Sequence, residues 1–242
     1  MKIDAEQCIA CEACIPYCPV KAIHAGDDTT YIDEEECVEC GVCLRSGVCP
    51  TDAIQEQPIE WPRIIRKVLS NPLIASPDTR CPGRGTEEVK TNEVTGRIKP
   101  GFIGFAMEMG RPGIGASLRD VQKVTQAMAE LGVEFEPQNP VTFWIPDKKT
   151  GKLREDILNE RTLSAIIEIA FPIEKLEVVI KRAQEIAKEI DTVFSVTTCI
   201  KVAPDGTIPS EKIFQKMGLP YYPGTKNNVG LGRPRFQFEE VK

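Results

Sequence analysis

Cys8-Ile9-Ala10-Cys11-Glu12-Ala13-Cys14-Ile15-Pro16-Tyr17-Cys18-Pro19 opens the chain, and Cys37-Val38-Glu39-Cys40-Gly41-Val42-Cys43, closed by Cys49-Pro50, repeats it. The first run reads C-x2-C-x2-C-x3-C-P and the second C-x2-C-x2-C-x5-C-P. Two intervening residues let a tight loop turn three thiolates toward one centre. A fourth thiolate from the same loop would be strained, so it comes from the other run. The spacing predicts two [4Fe–4S] clusters: cluster 1 on Cys8, Cys11, Cys14 and Cys49, and cluster 2 on Cys37, Cys40, Cys43 and Cys18. Zinc sites pair C-x2-C units across long spacers and take four ligands per ion, which leaves the third cysteine of each run without a use. A disulfide framework needs an oxidising compartment, and no export signal is expected, because acidic residues and Cys8 follow Met1-Lys2 almost at once.

Both runs belong to an internal repeat, residues 2–26 and 31–56. Each copy begins with a strand-like pair (Lys2 and Ile3; Tyr31 and Ile32) and ends in C-P-x-x-A-I. The proline after the fourth cysteine is expected to cap a short helix, with Ala22, Ile23, Ala53 and Ile54 packed on the clusters. Ile9, Ile15, Val38 and Val42 are expected to keep water off the sulfurs. Fewer waters and fewer hydrogen bonds at sulfur lower a cluster's potential, and more raise it. On these residues, 1–57 resembles a bacterial-type two-cluster ferredoxin domain. One departure is the second run, where residues 44–48 separate Cys43 from Cys49. That insertion lengthens a loop beside cluster 1 and removes no ligand.

Charge divides the chain. Residues 1–57 hold twelve Asp and Glu against three Lys and Arg, while residues 58–242 hold twenty-four against twenty-seven. The first segment is therefore −9 and the rest +3, for −6 in all. Two oxidised cubes with four thiolates each would add about −2 apiece. Such an acidic field steers a basic-surfaced redox partner in and repels nucleic acid. No apolar run approaches membrane-spanning length. Ten cysteines without an export signal point to a reducing cytoplasm, and oxygen-sensitive clusters to an anaerobic host.

The remainder can bury a conventional core. Residues 58–99 read as a connector with a short helix over 63–69 and a glycine-rich, basic loop over 80–97. Arg84, Lys90 and Arg97, with Arg111 and Gly113 further on, are candidates for a ligand or partner loop, because glycines admit backbone N–H groups to an anion. Cys81 has no nearby second cysteine or histidine. From 100 to 203 the pattern is a strand over 101–109, a helix over 117–131 with Ser117 as N-cap, strand material over 133–135 and 141–145 read as one strand interrupted between Pro137 and Pro140, a strand over 163–171, a helix over 173–190 and a strand over 192–202. The order β-α-β-β-α-β predicts a ferredoxin-like α/β sandwich, so the whole chain is α+β. The turn Arg111-Pro112-Gly113 and the helix end Leu131-Gly132-Val133 resemble the start of an ACT-type regulatory domain, which implies amino-acid or other small-ligand binding near that turn. Residues 204–242, rich in Pro and Gly, read as an extended tail, with a short helix over 210–217 and Arg233 and Arg235 available to an acidic surface.

No catalytic residue is assigned. Glu108, Glu134 and Glu168 fall near strand ends without an acid–base pairing, Cys199 reads as a structural thiol, and the lone His24 as a surface residue. Three functions compete. The foremost is a non-catalytic electron-transfer protein, either a free carrier or a subunit of an anaerobic oxidoreductase, with a homodimer open through a sheet edge. The second is a redox- or metabolite-responsive regulator whose ACT-like domain takes an amino acid. The third is an enzyme with its own site in residues 80–115.

Overall fold

The computed structural model describes residues 1–75, 98–111 and 113–220. The N-terminal repeat folds as two interleaved halves. Strand β1 (Lys2–Ile3) pairs antiparallel with β4 (Ile54–Gln55), and β2 (Ile23–Ala25) with β3 (Thr30–Ile32). Each half thus donates its last strand to close a hairpin or to reach back to the chain's start. A one-turn 3-10 helix spans Ile15–Tyr17, and helix α1 (Val42–Arg45) carries Cys43.

The C-P-x-x-A-I segments depart from expectation. Neither forms a helix. Lys21 and Asp52 sit at φ 59° and 54°, in the left-handed region that ends a helix before it starts. The chain turns there (Lys21 N–H donates to the Cys18 carbonyl, 3.2 Å) and passes directly into β2 and β4. Ala22, Ile23, Ala53 and Ile54 are buried as expected.

Helix α2 (Ile64–Ser70) joins the two parts of the molecule, as the sequence predicts for 63–69. Its Arg66 is only 3 % exposed. One Arg66 nitrogen donates to the carbonyls of Glu34, Glu35 and Cys37, each at 2.9 Å, and another to the Glu160 carboxylate. On the same helix Ser70 Oγ accepts from Leu163 N–H at 2.9 Å. A buried guanidinium needs acceptors for its donors, and here they come from both sides of the junction.

Beyond the junction lies a four-stranded antiparallel sheet in the order β10-β5-β9-β7: β10 (Phe194–Ile200), β5 (Phe102–Met109), β9 (Ala165–Pro172) and β7 (Glu134–Phe135). Alternate residues Ile103, Phe105 and Met107 of β5 and Ile167, Ile169 and Phe171 of β9 point into one core, as a period of two requires. Helices α3 (Leu118–Ala129) and α5 (Leu176–Ile186) cover that face with Val121, Val124 and Met128, and with Val179 and Ala183. Ser117 caps α3 by accepting from the Asp120 N–H at 3.0 Å. It lies in β6 (Ala116–Ser117), which pairs with β8 (Arg161–Thr162), a two-residue ladder with too little sequence to be read in advance.

Residues 141–145, expected as a strand, form helix α4 (Pro140–Phe143) instead. Asn139 Oδ1 accepts from the N–H groups of Val141 and Thr142, and Pro140 occupies the first helical position, where its missing N–H costs nothing. The cap outweighs the strand preference of Val141, Thr142 and Phe143. Helix α6 (Glu211–Lys216) follows within the expected 210–217. No helix among the described residues is long and apolar enough to cross a membrane.

Candidate metal centres

Two small hollows open to solvent in the N-terminal part. Cys8, Cys11, Cys14 and Cys49 line one, and Cys18, Cys37, Cys40 and Cys43 line the other. Each triplet loop thus meets the fourth cysteine of the opposite run. Among the described residues no three His, Cys, Asp or Glu side chains converge closely enough for a single ion. Each ring instead offers four thiols around one space, the donor set that a cube takes.

The loops reach this geometry through backbone conformation. Ala10 and Glu12 in the first run, and Glu39 and Gly41 in the second, all have φ between 52° and 69°. The residues on either side of each central cysteine are therefore left-handed. Three of the four carry a Cβ, so that conformation is held at a cost of roughly 1–3 kcal/mol each. It lets three thiols face inward across two-residue gaps. Backbone donors reach the fourth thiols in the same way on both sides. The Ala22 N–H lies 3.1 Å from Cys18 Sγ, and the Ala53 N–H 3.2 Å from Cys49 Sγ. Such bonds set a backbone donor against each fourth sulfur.

The rings differ in their surroundings. A hydrogen bond from Thr30 holds the Cys8 thiol below the usual thiol range. At Cys49 burial works upward, but bonds from Thr51 and nearby backbone bring the thiol down. Burial pushes Cys14, Cys37 and Cys40 up. Cys43 is pushed up to about 11 by burial and by its neighbours Cys40 and Cys37. Ligation by metal must displace those protons.

Other sequence candidates fall elsewhere. His24 is exposed on β2, its ring 5.5 Å from that of Tyr31. Cys199 is half-buried against Ile98 and Ala170. Glu168 accepts from Asn139 Nδ2 at 2.9 Å, and Glu108 from Arg111 at 2.7 Å and Thr197 at 3.1 Å, both structural engagements. Glu134 is exposed on the short strand β7. Of the candidate anion loop, Arg84, Lys90 and Arg97 lie outside the described residues, as do Cys81, Arg233 and Arg235. Gly113 lies beside the cluster domain: a Cβ built there would come within 3.2 Å of the Pro19 carbonyl oxygen. Arg66 escaped sequence reading, because its partners are mostly backbone carbonyls that no motif reports.

An interleaved repeat holding two rings of four thiols is the architecture of a two-cluster iron–sulfur protein. A family model described as a 4Fe-4S dicluster domain matches residues 7–53. The chain is 42% identical over 70 residues to a protein named Ferredoxin 7Fe from Hydrogenibacillus schlegelii, covering 27% of this chain and 87% of that protein. It is 47% identical over 53 residues to Ferredoxin-3 of Chlorobaculum tepidum, covering 20% and 86%. A ferredoxin of Streptomyces griseus is 42% identical over 64 residues, with 24% of this chain and 59% of that protein covered. Through this N-terminal segment the chain belongs to the ferredoxin family, and its dicluster domain is an electron carrier with two [4Fe–4S] clusters.

Proposed function

We propose that the protein is an electron-transfer component of a larger anaerobic oxidoreductase, acting in the cytoplasm and not catalytic by itself. Cys8, Cys11, Cys14 and Cys49 hold cluster 1, and Cys37, Cys40, Cys43 and Cys18 hold cluster 2. The observation that carries this reading is the pair of cavities, each ringed by four thiols drawn three and one from the two runs. Four cysteines per cube leave no iron site open, so the bound groups would supply single-electron transfer and no substrate activation.

The domain plan is 1–57 for the clusters, 58–99 for the connector, 100–203 for the second domain and 204–242 for a tail. The strand order and antiparallel pairing support a ferredoxin-like βαββαβ sandwich for the second domain. Its role is docking or dimerisation. The acidic cluster domain would meet a basic surface on the redox partner. The regulatory alternative, an ACT-like site for a small ligand at Arg111 and Gly113, has the same strand order as support. Against it, the turn it would use abuts Pro19 and Val20 of the cluster domain.

Anaerobic isolation of the full chain with its native associates tests the reading. Co-purification with a reductase or dehydrogenase that reduces or oxidises both clusters is the expected result. An isolated protein whose clusters exchange electrons with no associate, yet which binds an amino acid tightly, would favour the regulator.

A further inference from the structure

The repeat lays one ring on the other. Ile3 and Ile54 beside the first answer to Ile32 and Ile23 beside the second, apolar for apolar. Two positions break the match. Thr30 lines the first ring where Met1 lines the second, and Thr51 stands where the second has Val20. Thr30 Oγ1 lies 3.3 Å from Cys8 Sγ and 3.9 Å from Cys14 Sγ, and Thr51 Oγ1 lies 3.6 Å from Cys49 Sγ. A sulfur bound to iron carries no proton, so only the hydroxyl can donate, and Thr30, with a single O–H, gives it to the nearer Cys8 while Thr51 gives its own to Cys49. Neither Met1 nor Val20 can donate from its side chain.

Exposure differs in the same sense. Cys11 is exposed and its counterpart Cys40 buried. Ile9 is 62% exposed and its counterpart Val38 only 2%. Reduction adds negative charge to a cluster. Hydroxyl donors at sulfur and access to water both stabilise that charge and raise the potential. The backbone N–H bonds to Cys18 and Cys49 are equivalent and cancel. Three cations gather near the second ring against two carboxylates, and the one positive charge left over opposes this trend without placing a donor at sulfur. Glu39 binds both the Met1 ammonium and Arg63, and Glu160 binds Arg66. Arg45 is exposed, where solvent screens it.

We infer that Thr30 and Thr51 make the site of Cys8, Cys11, Cys14 and Cys49 the higher-potential one. A single electron on the protein rests there, at the exposed edge marked by Ile9 and Cys11, and the inner site fills second. Passing one electron from the inner site to the outer oxidises the first and reduces the second, with no bond made or broken. This rests on the ligand grouping proposed above, which cysteine substitutions test separately through iron content, whereas potentials test the inference alone.

The experiment is an anaerobic redox titration of the full-length holoprotein with dithionite, followed by EPR, on the native chain and on T30V, T51V, T30S and V20T. The native protein should titrate in two steps. T30V and T51V should each lower the upper step and leave the lower one in place. T30S keeps the hydroxyl and should leave both steps unmoved, and V20T should raise the lower step. Coincident native steps, or a valine variant that moves the lower step instead of the upper, would overturn the inference. If a valine variant loses iron, the native titration and V20T still decide it.

Discussion

The cluster domain and the sheet domain are held together by different means. In the first, three of the seven buried members of the apolar core are cysteines, with Met1, Ala22, Ile23 and Ile54 as the remainder. In the second, Phe105, Met107, Phe171, Leu118 and Val124 are buried among strands and helices with no need of a metal. A segment with so little apolar surface to bury depends on metal–thiolate bonds for its folding energy. The sheet domain follows the ordinary hydrophobic rule. Between them stands Arg66, whose donors are divided between the two.

The largest effect that would break or sharpen this contrast is removal of iron. Chelation under anaerobic conditions should abolish amide protection across residues 1–57 while β5 and β9 keep theirs in hydrogen exchange. Equal loss in both regions would end the distinction. Next comes the junction. Arg66→Ala leaves the Glu160 carboxylate and three carbonyls without their donor and should cost about 3–5 kcal/mol in denaturant unfolding. Arg66→Lys keeps the charge but not the planar fork, so it should recover only part of that loss. A confined effect belongs to the sheet domain: Ser117→Ala removes the α3 cap and should cost about 1 kcal/mol, with the EPR of both clusters unchanged.

The smallest effect concerns pH at the far edge of the molecule. Lys181 and then Lys216 hold the exposed Glu177 carboxylate down at about 2. A depressed carboxylate stabilises above its unfolded value and stops doing so as pH falls through its folded one. The tie from α5 to α6 through Lys216 is therefore intact above about pH 4.5 and should loosen toward pH 2. Solvent screening keeps the change modest. Faster exchange of α6 amides on acidification would register it, with β5 unaffected.

What the sequence disclosed follows from the kind of signal involved. Cysteine spacing is a direct statement about ligand geometry, so the grouping proposed for the eight thiols can be read from residues 8–49, and the same cysteines line the two hollows. Strands β5, β9 and β10 and helices α3 and α5 are legible because apolar residues recur at 2.0 and 3.6. Residues 141–145 mislead because β-branched and aromatic side chains outnumber the cap signal, although Asn139-Pro140 is there to be read. The turns at Lys21 and Asp52 are opaque, since a left-handed lysine or aspartate is imposed by the loop and not by its residue type. The Thr30 and Thr51 asymmetry needs both halves aligned on one geometry, which the paired strands supply.

The crossing of the fourth cysteines is the central claim, and a comparison of three variants tests it most directly. Cys49→Ser, Cys11→Ser and Cys40→Ser are prepared anaerobically, reduced and examined by EPR with iron content measured alongside. The Cys49→Ser spectrum should match that of Cys11→Ser, with the other cluster's signal intact. A Cys49→Ser spectrum that instead matches Cys40→Ser would mean each run keeps its own fourth ligand, and the crossed rings would be wrong.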